Sequence, residues 1–292
     1  MDLSSLRRAG LAGAIVAGSV AATVGGIALL FRTEGRMAAQ TVGHRLGDRG
    51  PDADRVYRPA WGNPLLLVVA GDSVADSLGA ATASATLGAN LAVALSDHAH
   101  RAVELRTVAA VGARTSTLDH QIDTLPEGKV PDITVIVVGG NDLTNHVPLA
   151  DSVKALGAVI GRLRLAGGEV VVGTCPDFDT LPSLPSPLRE FGGQMSRRLA
   201  AAQFKAARAA GAHPVLLGRA VRQIFLEEPR DMFSIDGFHP SSLGYRRASA
   251  AMIPAVLAAY DAGRPGSAGP AAGGHVSDGP ASAVPPLRPG ND

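Results

Sequence analysis

The feature of this 292-residue chain that most constrains its fold is a regular alternation of short apolar runs and longer stretches with helical spacing. These runs, which are mainly apolar, lie at 65–70, 103–108 (which also contains Glu104 and Arg106), 133–138, 170–172 and 214–217. The helical stretches lie at about 79–98, 115–125, 149–167, 188–211 and 241–260. Wholly apolar strands are typical of a parallel sheet that helices cover on both faces. The alternation therefore predicts an α/β fold, a three-layer α/β/α sandwich around a five-stranded parallel sheet.

An uncharged apolar segment precedes this region. Residues 9–31 carry no charged side chain, follow Arg7 and Arg8, and as a helix would span roughly 35 Å, enough to cross a bilayer. The length of the run and the poor cleavage site at 37–39 favour an uncleaved anchor over a cleaved signal peptide. We therefore predict a membrane anchor at 1–32, with secretion as the alternative. Arg7 and Arg8 favour a cytoplasmic N-terminus, whereas the arginines at 32, 36, 45 and 49 oppose it, so the charges leave the orientation open. Because a large domain can be translocated despite such charges, we predict that the following domain lies outside the cytoplasm.

Composition divides the rest of the chain into three parts. Residues 33–61 are polar and arginine-rich, which is typical of a stalk, and residues 262–292 are rich in glycine and proline, which is typical of a disordered tail. The intervening residues 62–261 hold all the predicted strands and helices. The sequence therefore predicts one folded domain on a tether.

Charge and cysteine content exclude several classes of function. The formal net charge of +1 gives no basic excess for binding nucleic acid, so no nucleic-acid partner is expected. Cys175 is the only cysteine, which excludes an intrachain disulfide framework and a zinc site built from cysteines. The oligomeric state is not determined by these features.

Polar motifs follow the first three predicted strands, and a fourth motif precedes the last helix. They are Gly71-Asp72-Ser73, Gly112, Gly139-Gly140-Asn141-Asp142 and Asp236-Gly237-Phe238-His239. Each motif alone is ordinary turn chemistry, because glycine, asparagine and aspartate are common in loops and helix caps. Active sites of open parallel sheets lie outside the carboxyl ends of the strands, so the joint placement of the motifs predicts one shared site.

Three of these side chains are a set for nucleophilic catalysis. A serine hydroxyl is a weak nucleophile and needs an adjacent base, which His239 would provide for Ser73. The histidine must be held in one tautomer, and Asp236 is the nearby carboxylate for that purpose. We therefore predict Ser73, His239 and Asp236 as catalytic residues.

The same motifs provide donors for a developing oxyanion. The backbone N–H groups of Ser73 and Gly112 and the side-chain amide of Asn141 are predicted to form this oxyanion hole. Asp72 and Asp142 are interpreted as structural support, because short carboxylates accept hydrogen bonds from loop N–H groups and would brace the nucleophile turn. No metal ligand is predicted.

In these four ordered motifs the sequence resembles the SGNH (GDSL-type) hydrolase family over residues 70–245. Gly71-Asp72-Ser73 stands at the position of the family's nucleophile motif, although residue 74 is valine where the name-giving tetrapeptide has leucine. The resemblance implies a sheet of flavodoxin-like order and metal-free ester hydrolysis through an acyl-serine intermediate, without a cofactor. It leaves the substrate open among short-chain, lipid and acyl-sugar esters.

Other functions remain as alternatives. Some members of the family are acyltransferases, so acyl transfer by the same triad is the second hypothesis. A metal-dependent phosphoesterase is less favoured. The sequence has no Asp-x-His motif, and the four motifs contain only one histidine, His239. A tethered binding protein without activity and an α/β-hydrolase with a G-x-S-x-G elbow are also less favoured, the latter because residue 75 is not glycine.

Several further residues are expected near the rim of the site. The proline-rich loop 176–187, with Phe178, is predicted to form a wall of the acyl or alcohol pocket, and Phe238 would shape the same pocket. His146 could line the cleft. Cys175 is interpreted as a small buried hydrophobic residue.

Overall fold

The computed structural model describes residues 46–264, which form a six-stranded sheet in the order β1-β3-β2-β4-β5-β6. The strands are β1 (Val56–Tyr57), β2 (Leu65–Gly71), β3 (Val103–Thr107), β4 (Ile133–Val137), β5 (Glu169–Gly173) and β6 (His213–Val215). Strands β2 to β6 pair in parallel, and β1 pairs antiparallel with β3. The five parallel strands have the flavodoxin-like order, which confirms the predicted architecture.

Eight α-helices are described, and most of them cover the sheet. They are α1 (Leu87–Ala99), α2 (Leu118–Asp123), α3 (Gly140–Thr144), α4 (Leu149–Leu165), α5 (Leu188–Ala209), α6 (Leu217–Glu227), α7 (Pro229–Met232) and α8 (Ser242–Ala262). Alternate residues of the central strands point to opposite faces. Leu67 and Val69 of β2 lie in the same apolar cluster as residues of α1 and α8, whereas Val68 and Ala70 lie in the cluster that includes residues of α2, α4 and α5. Because both sheet faces are buried in this way, every residue of β2, β4 and β5 is buried.

The segment predicted as a stalk contributes to the folded unit. Val56 and Tyr57 pair with Glu104 and Val103, and Tyr57 is buried in the core. The Asp54 carboxylate also accepts the backbone N–H of Thr107 at 2.9 Å. Part of the segment predicted as a stalk therefore joins the sheet, and a two-residue strand is too short to show a periodic pattern.

The chain between the fifth strand and the last helix also differs from the prediction. The run 214–217 was predicted as strand, but β6 ends at Val215 and α6 begins at Leu217. Pro214 is compatible with β6 because this strand lies at the sheet edge, where one side of the backbone has no ladder partner. Helices α6 and α7 were not predicted.

The predicted anchor at 1–32, with its apolar run 9–31, and all but residues 262–264 of the predicted tail at 262–292 lie outside the described residues. Among residues 46–264, none of the helices combines the length and the apolar character needed to span a bilayer.

Candidate active site

The turn after β2 carries Ser73 and requires glycine at its first position. Gly71 has φ 137°, and a Cβ there would lie 1.9 Å from the backbone oxygen of Val137 on the neighbouring strand. Gln121 of α2 holds both backbone groups of Gly71, since its Oε1 accepts the N–H and its Nε2 donates to the carbonyl, each at 2.8 Å. Asp72 N–H donates to Val137 O at 3.0 Å. The turn that carries Ser73 is therefore fixed against β4 and α2.

Ser73, His239 and Asp236 are connected by two hydrogen bonds. The Nε2 atom of His239 lies 2.9 Å from Ser73 Oγ, and its Nδ1 atom lies 2.6 Å from Asp236 Oδ2. All three residues are buried, with 4 to 7% of their surface exposed. Although Ser73 and His239 are 166 residues apart in the chain, the structure brings them into contact as the sequence motifs predicted.

The local turn explains how Asp236 and His239 come to face each other. The Oδ1 atom of Asp236 accepts the backbone N–H groups of Phe238 and His239, both at 3.0 Å, while Oδ2 faces the imidazole ring. Burial alone would raise the pKa of Asp236, but the hydrogen bonds from His239 and from the two backbone N–H groups outweigh it and hold this pKa below its usual value. Asp236 is therefore an ionised acceptor for the imidazole N–H at neutral pH.

The three predicted oxyanion donors lie beyond neighbouring strands and have no hydrogen-bond acceptor within residues 46–264. The backbone N–H groups of Ser73 and Gly112 and the side-chain amide of Asn141 all lack such an acceptor. Gly112 is exposed, has φ 80°, and has nothing within 4 Å of the position a Cβ would take. Among the described residues, all three of these N–H donors are thus without an internal acceptor.

Asp72 is buried and bonds to backbone groups of two loops. Its Oδ1 atom accepts the N–H of Val74 at 3.0 Å, and the N–H of Gly139 also stabilises its charge. Burial outweighs these bonds and raises the pKa of Asp72 to about 6. Asp72 therefore supports the nucleophile turn, and it changes its charge between pH 4 and pH 7.

We expect the unfolding free energy of the Asp72→Asn variant, relative to wild type, to be higher at pH 7 than at pH 4. Because the folded state binds the Asp72 proton more tightly than the unfolded chain does, ionising Asp72 costs stability as the pH rises to about 6. The difference in unfolding free energy between variant and wild type should therefore grow by at most about 3 kcal/mol over this range. Urea denaturation at several pH values measures it. The exposed Asp48→Asn variant serves as control, and a difference that does not change with pH would contradict the assignment.

Asp142 supports a different loop from the one predicted. Its carboxylate accepts the backbone N–H of Thr115 at 3.1 Å and the Thr115 hydroxyl at 2.9 Å. The Thr115 hydroxyl in turn lies 3.2 Å from Ser152 Oγ on α4. Asp142 thus connects the Asn141 helix to the segment that follows Gly112, rather than to the nucleophile turn. Sequence reasoning missed Thr115 and Ser152, because neither belongs to a recognisable motif.

The loop 176–187 is fixed at the rim by ion pairs between two of its carboxylates and two arginines, which sequence reasoning also missed. Arg222 of α6 binds the carboxylates of Asp177 and Asp179, and Arg197 of α5 lies 3.0 Å from Asp177. Because α6 was not predicted, nothing in the sequence indicated that Arg222 would lie beside this loop. The four charges neutralise one another, so this cluster holds the loop without leaving a free charge.

Aromatic rings extend from this loop to the triad. The ring of Phe178 packs edge-on against that of Phe238 at 6.0 Å, and Phe238 packs against the His239 ring at 5.1 Å. Cys175, at the start of the loop, is buried as predicted, and burial raises the pKa of its thiol. His146 is exposed and forms none of the described contacts with the triad. Within 46–264, the acidic, histidine and cysteine side chains form no group of three suited to a metal ion.

Comparison with known proteins relates this chain to curated and solved hydrolases. The GDSL-like esterase Rv1075c of Mycobacterium tuberculosis is 36% identical over 222 residues, which cover 72% of this chain and 71% of the relative. The α/β hydrolase LAE5 from the metagenome of Lake Arreo is 18% identical, with a TM-score of 0.53 over 67% of this chain and 96% of that one. Axe2, an acetylxylan esterase of Geobacillus stearothermophilus, is 18% identical, with a TM-score of 0.51 over 67% and 95%. At this identity the two structures show that the fold is shared.

A family comparison covers the whole of the site. The sequence model of the GDSL-like lipase/acylhydrolase family matches residues 69–247, a span that includes all four polar motifs. The resemblance inferred from those motifs is therefore confirmed, and the chain belongs to the GDSL-like lipase/acylhydrolase family.

Proposed function

We propose that this protein is a serine esterase that cleaves carboxylic esters through an acyl-serine intermediate. The observation that carries the proposal is the continuous path from Ser73 Oγ through the His239 ring to the Asp236 carboxylate, with distances of 2.9 and 2.6 Å. Family membership and the curated esterase relative support the same reaction class.

In the acylation step, Ser73 Oγ would attack the ester carbonyl carbon while its proton moves to His239 Nε2. Asp236 would keep the proton of the neutral imidazole on Nδ1, so that Nε2 has a free lone pair, and would stabilise the imidazolium that forms. The imidazolium then gives its proton to the leaving alkoxide as the bond between carbon and alcohol oxygen breaks. The products of this step are the free alcohol and an ester on Ser73.

In the deacylation step, water would replace the alcohol. His239 takes a proton from the water as its oxygen attacks the acyl carbon, and returns a proton to Ser73 Oγ as the acyl-serine bond breaks. The negative oxygen in both steps would be bound by the N–H groups of Ser73 and Gly112 and by the amide of Asn141. Donors of this kind, held in place before reaction, are each worth about 10²- to 10³-fold in rate.

The rim residues support an uncharged acyl or alcohol group as the substrate part nearest the triad. The Phe238 ring lies beside His239, the Phe178 ring packs on Phe238, and the charges of Asp177 and Arg222 neutralise each other. We therefore propose recognition by shape and apolar contact rather than by charge. Short-chain, lipid and acyl-sugar esters all fit this description.

We expect the full chain, purified in mild detergent, to hydrolyse p-nitrophenyl esters with and without EDTA. The release of p-nitrophenol is measured for acetyl, butyryl, octanoyl and palmitoyl esters, and acetylated xylan, a lysophospholipid and an acyl thioester complete the panel. Adding an acceptor alcohol separates acyl transfer, which yields a new ester, from hydrolysis. Complete loss of activity in EDTA would contradict the serine mechanism.

The apolar run 9–31 supports a membrane-anchored enzyme with an extracytoplasmic catalytic domain. Assaying the same esters in the membrane and secreted fractions of expressing cells tests this proposal. Activity in the membrane fraction would support the anchor, whereas activity in the secreted fraction would support cleavage and release.

A further inference from the structure

We propose that Thr115 and Ser152 are positioning residues that act through Asp142 to fix two oxyanion donors relative to each other. The donors are the backbone N–H of Gly112 and the side-chain amide of Asn141, so the inference rests on the proposed function. Gly112 belongs to the loop after β3 and Asn141 to α3 after β4, and no sheet hydrogen bond joins these two segments directly.

The hydrogen bonds between the two segments are buried. Thr115, Asp142 and Ser152 are each 1% exposed. Asp142 directly follows Asn141 in α3, and Thr115 lies three positions after Gly112. The two hydrogen bonds from Thr115 to the Asp142 carboxylate therefore join the Gly112 loop to the Asn141 helix in a place that water does not reach.

The direction of the hydrogen bonds explains the role of Ser152. Because the Thr115 hydroxyl donates its proton to Asp142, the hydroxyl of Ser152 can donate to Thr115 Oγ1. Within residues 46–264 the Asp142 carboxylate has no cationic partner at ion-pair distance, so these neutral donors supply its stabilisation. Hydrogen bonds to a buried carboxylate are about twice as strong as neutral ones. Ser152 thereby orients the Thr115 hydroxyl from α4.

The other side of the Gly112 loop is fastened to the nucleophile turn. The N–H of Ala110 donates to the carbonyl of Gly71 at 3.1 Å. Gly112 itself has open space around it and a backbone conformation that few other residues adopt. The segment 110–115 is thus held at both ends by hydrogen bonds, while the backbone N–H of Gly112 between them has no acceptor among the described residues. Loss of the Thr115 attachment should let the Gly112 N–H move away from the reacting oxygen.

The substitution Thr115→Val tests this inference, because valine keeps the shape and removes the hydroxyl. We expect kcat for p-nitrophenyl butyrate to fall about 10- to 100-fold, a part of the loss on deleting an oxyanion donor. KM should change less than about threefold, since the ester is bound by other groups. Thr115→Ser should restore most of kcat. Thr134→Val is the matched control, because Thr134 is also buried and its hydroxyl has no partner.

A second readout separates positioning from general damage to the fold. A boronic acid that forms a tetrahedral adduct with Ser73 should lose affinity in Thr115→Val by the same factor as kcat/KM. In an Asn141→Ala background, Thr115→Val should cost at least threefold less than in the wild type, because coupled residues are not additive. If Thr115→Val does not fold, the same measurements are made on Ser152→Ala. We expect this variant to lose about 3- to 10-fold in kcat.

Three results would overturn the inference. The first is a folded Thr115→Val variant with the kcat of the wild type. The second is a Thr115→Ser variant whose kcat is as low as that of Thr115→Val. The third is a Thr115→Val substitution that lowers kcat by the same factor in the wild type and in Asn141→Ala. Failure of the proposed function gives a different result, namely ester hydrolysis that persists when Ser73 is replaced by alanine.

Discussion

The substitution Ser73→Ala should lower kcat for p-nitrophenyl ester hydrolysis by about 10⁴-fold or more, because it removes the attacking oxygen. Ser73 Oγ is the atom that lies 2.9 Å from His239 Nε2, and no other hydroxyl of residues 46–264 is hydrogen-bonded to this nitrogen. The remaining rate would come from water attack on an ester held by the oxyanion donors. Single-turnover and steady-state release of p-nitrophenol measure the loss.

A buried serine elsewhere in the fold provides the matched control for this variant. Ser96 of α1 is 0% exposed, and its hydroxyl has no hydrogen-bond partner. Ser96→Ala should therefore keep wild-type kcat and thermal stability. Ser73→Ala should also keep its fold, since the bond between His239 and Asp236 does not involve the serine. More than a tenth of the wild-type kcat in folded Ser73→Ala would contradict nucleophilic catalysis by this residue.

Each of β2 to β6 begins within one residue of a predicted run. Strands β2, β4 and β5 were the clearest, because every residue in them is buried and a strand with no polar face leaves a continuous apolar run. Strand β3 has an exposed Arg106, and its buried residues Val103 and Leu105 alternate with polar ones. Strand β1 could not be predicted in this way, because its two residues, Val56 and Tyr57, are too few to show a periodic pattern. Helix α6 was missed because the apolar run 214–217 spans the end of a strand and the start of a helix.

The active-site motifs could be predicted because parallel strands bring their carboxyl ends to one edge. The order of the motifs along the chain was enough to place Ser73 and His239 together. The supporting residues could not be found in this way. Gln121 acts on Gly71 from 50 positions away and Thr115 on Asp142 from 27, and such pairs depend on how helices and loops pack on the sheet. Their residue types are common in any loop or helix.

The substitution Asp236→Asn should lower kcat by about 10³- to 10⁴-fold while leaving the fold intact. The asparagine oxygen can still accept the backbone N–H groups of Phe238 and His239, as Asp236 Oδ1 does now. Its amide would then face His239 Nδ1 in place of the carboxylate oxygen at 2.6 Å. An amide N–H can only donate to that nitrogen, so the imidazole proton moves to Nε2. In this tautomer His239 has no lone pair towards Ser73 and cannot accept its proton.

The tautomer explanation predicts a change in which imidazole nitrogen carries the proton, whereas a general loss of stability would not produce this change. Imidazole nitrogen chemical shifts of Asp236→Asn should show the proton on Nε2, whereas those of the wild type should show it on Nδ1. Asp231→Asn, an exposed change five positions earlier, should alter neither the shifts nor kcat. Asp236→Ala should lose activity as well, but without a fixed tautomer, because alanine offers no group to either ring nitrogen. A wild-type tautomer in Asp236→Asn together with wild-type kcat would show that Asp236 does not orient the base.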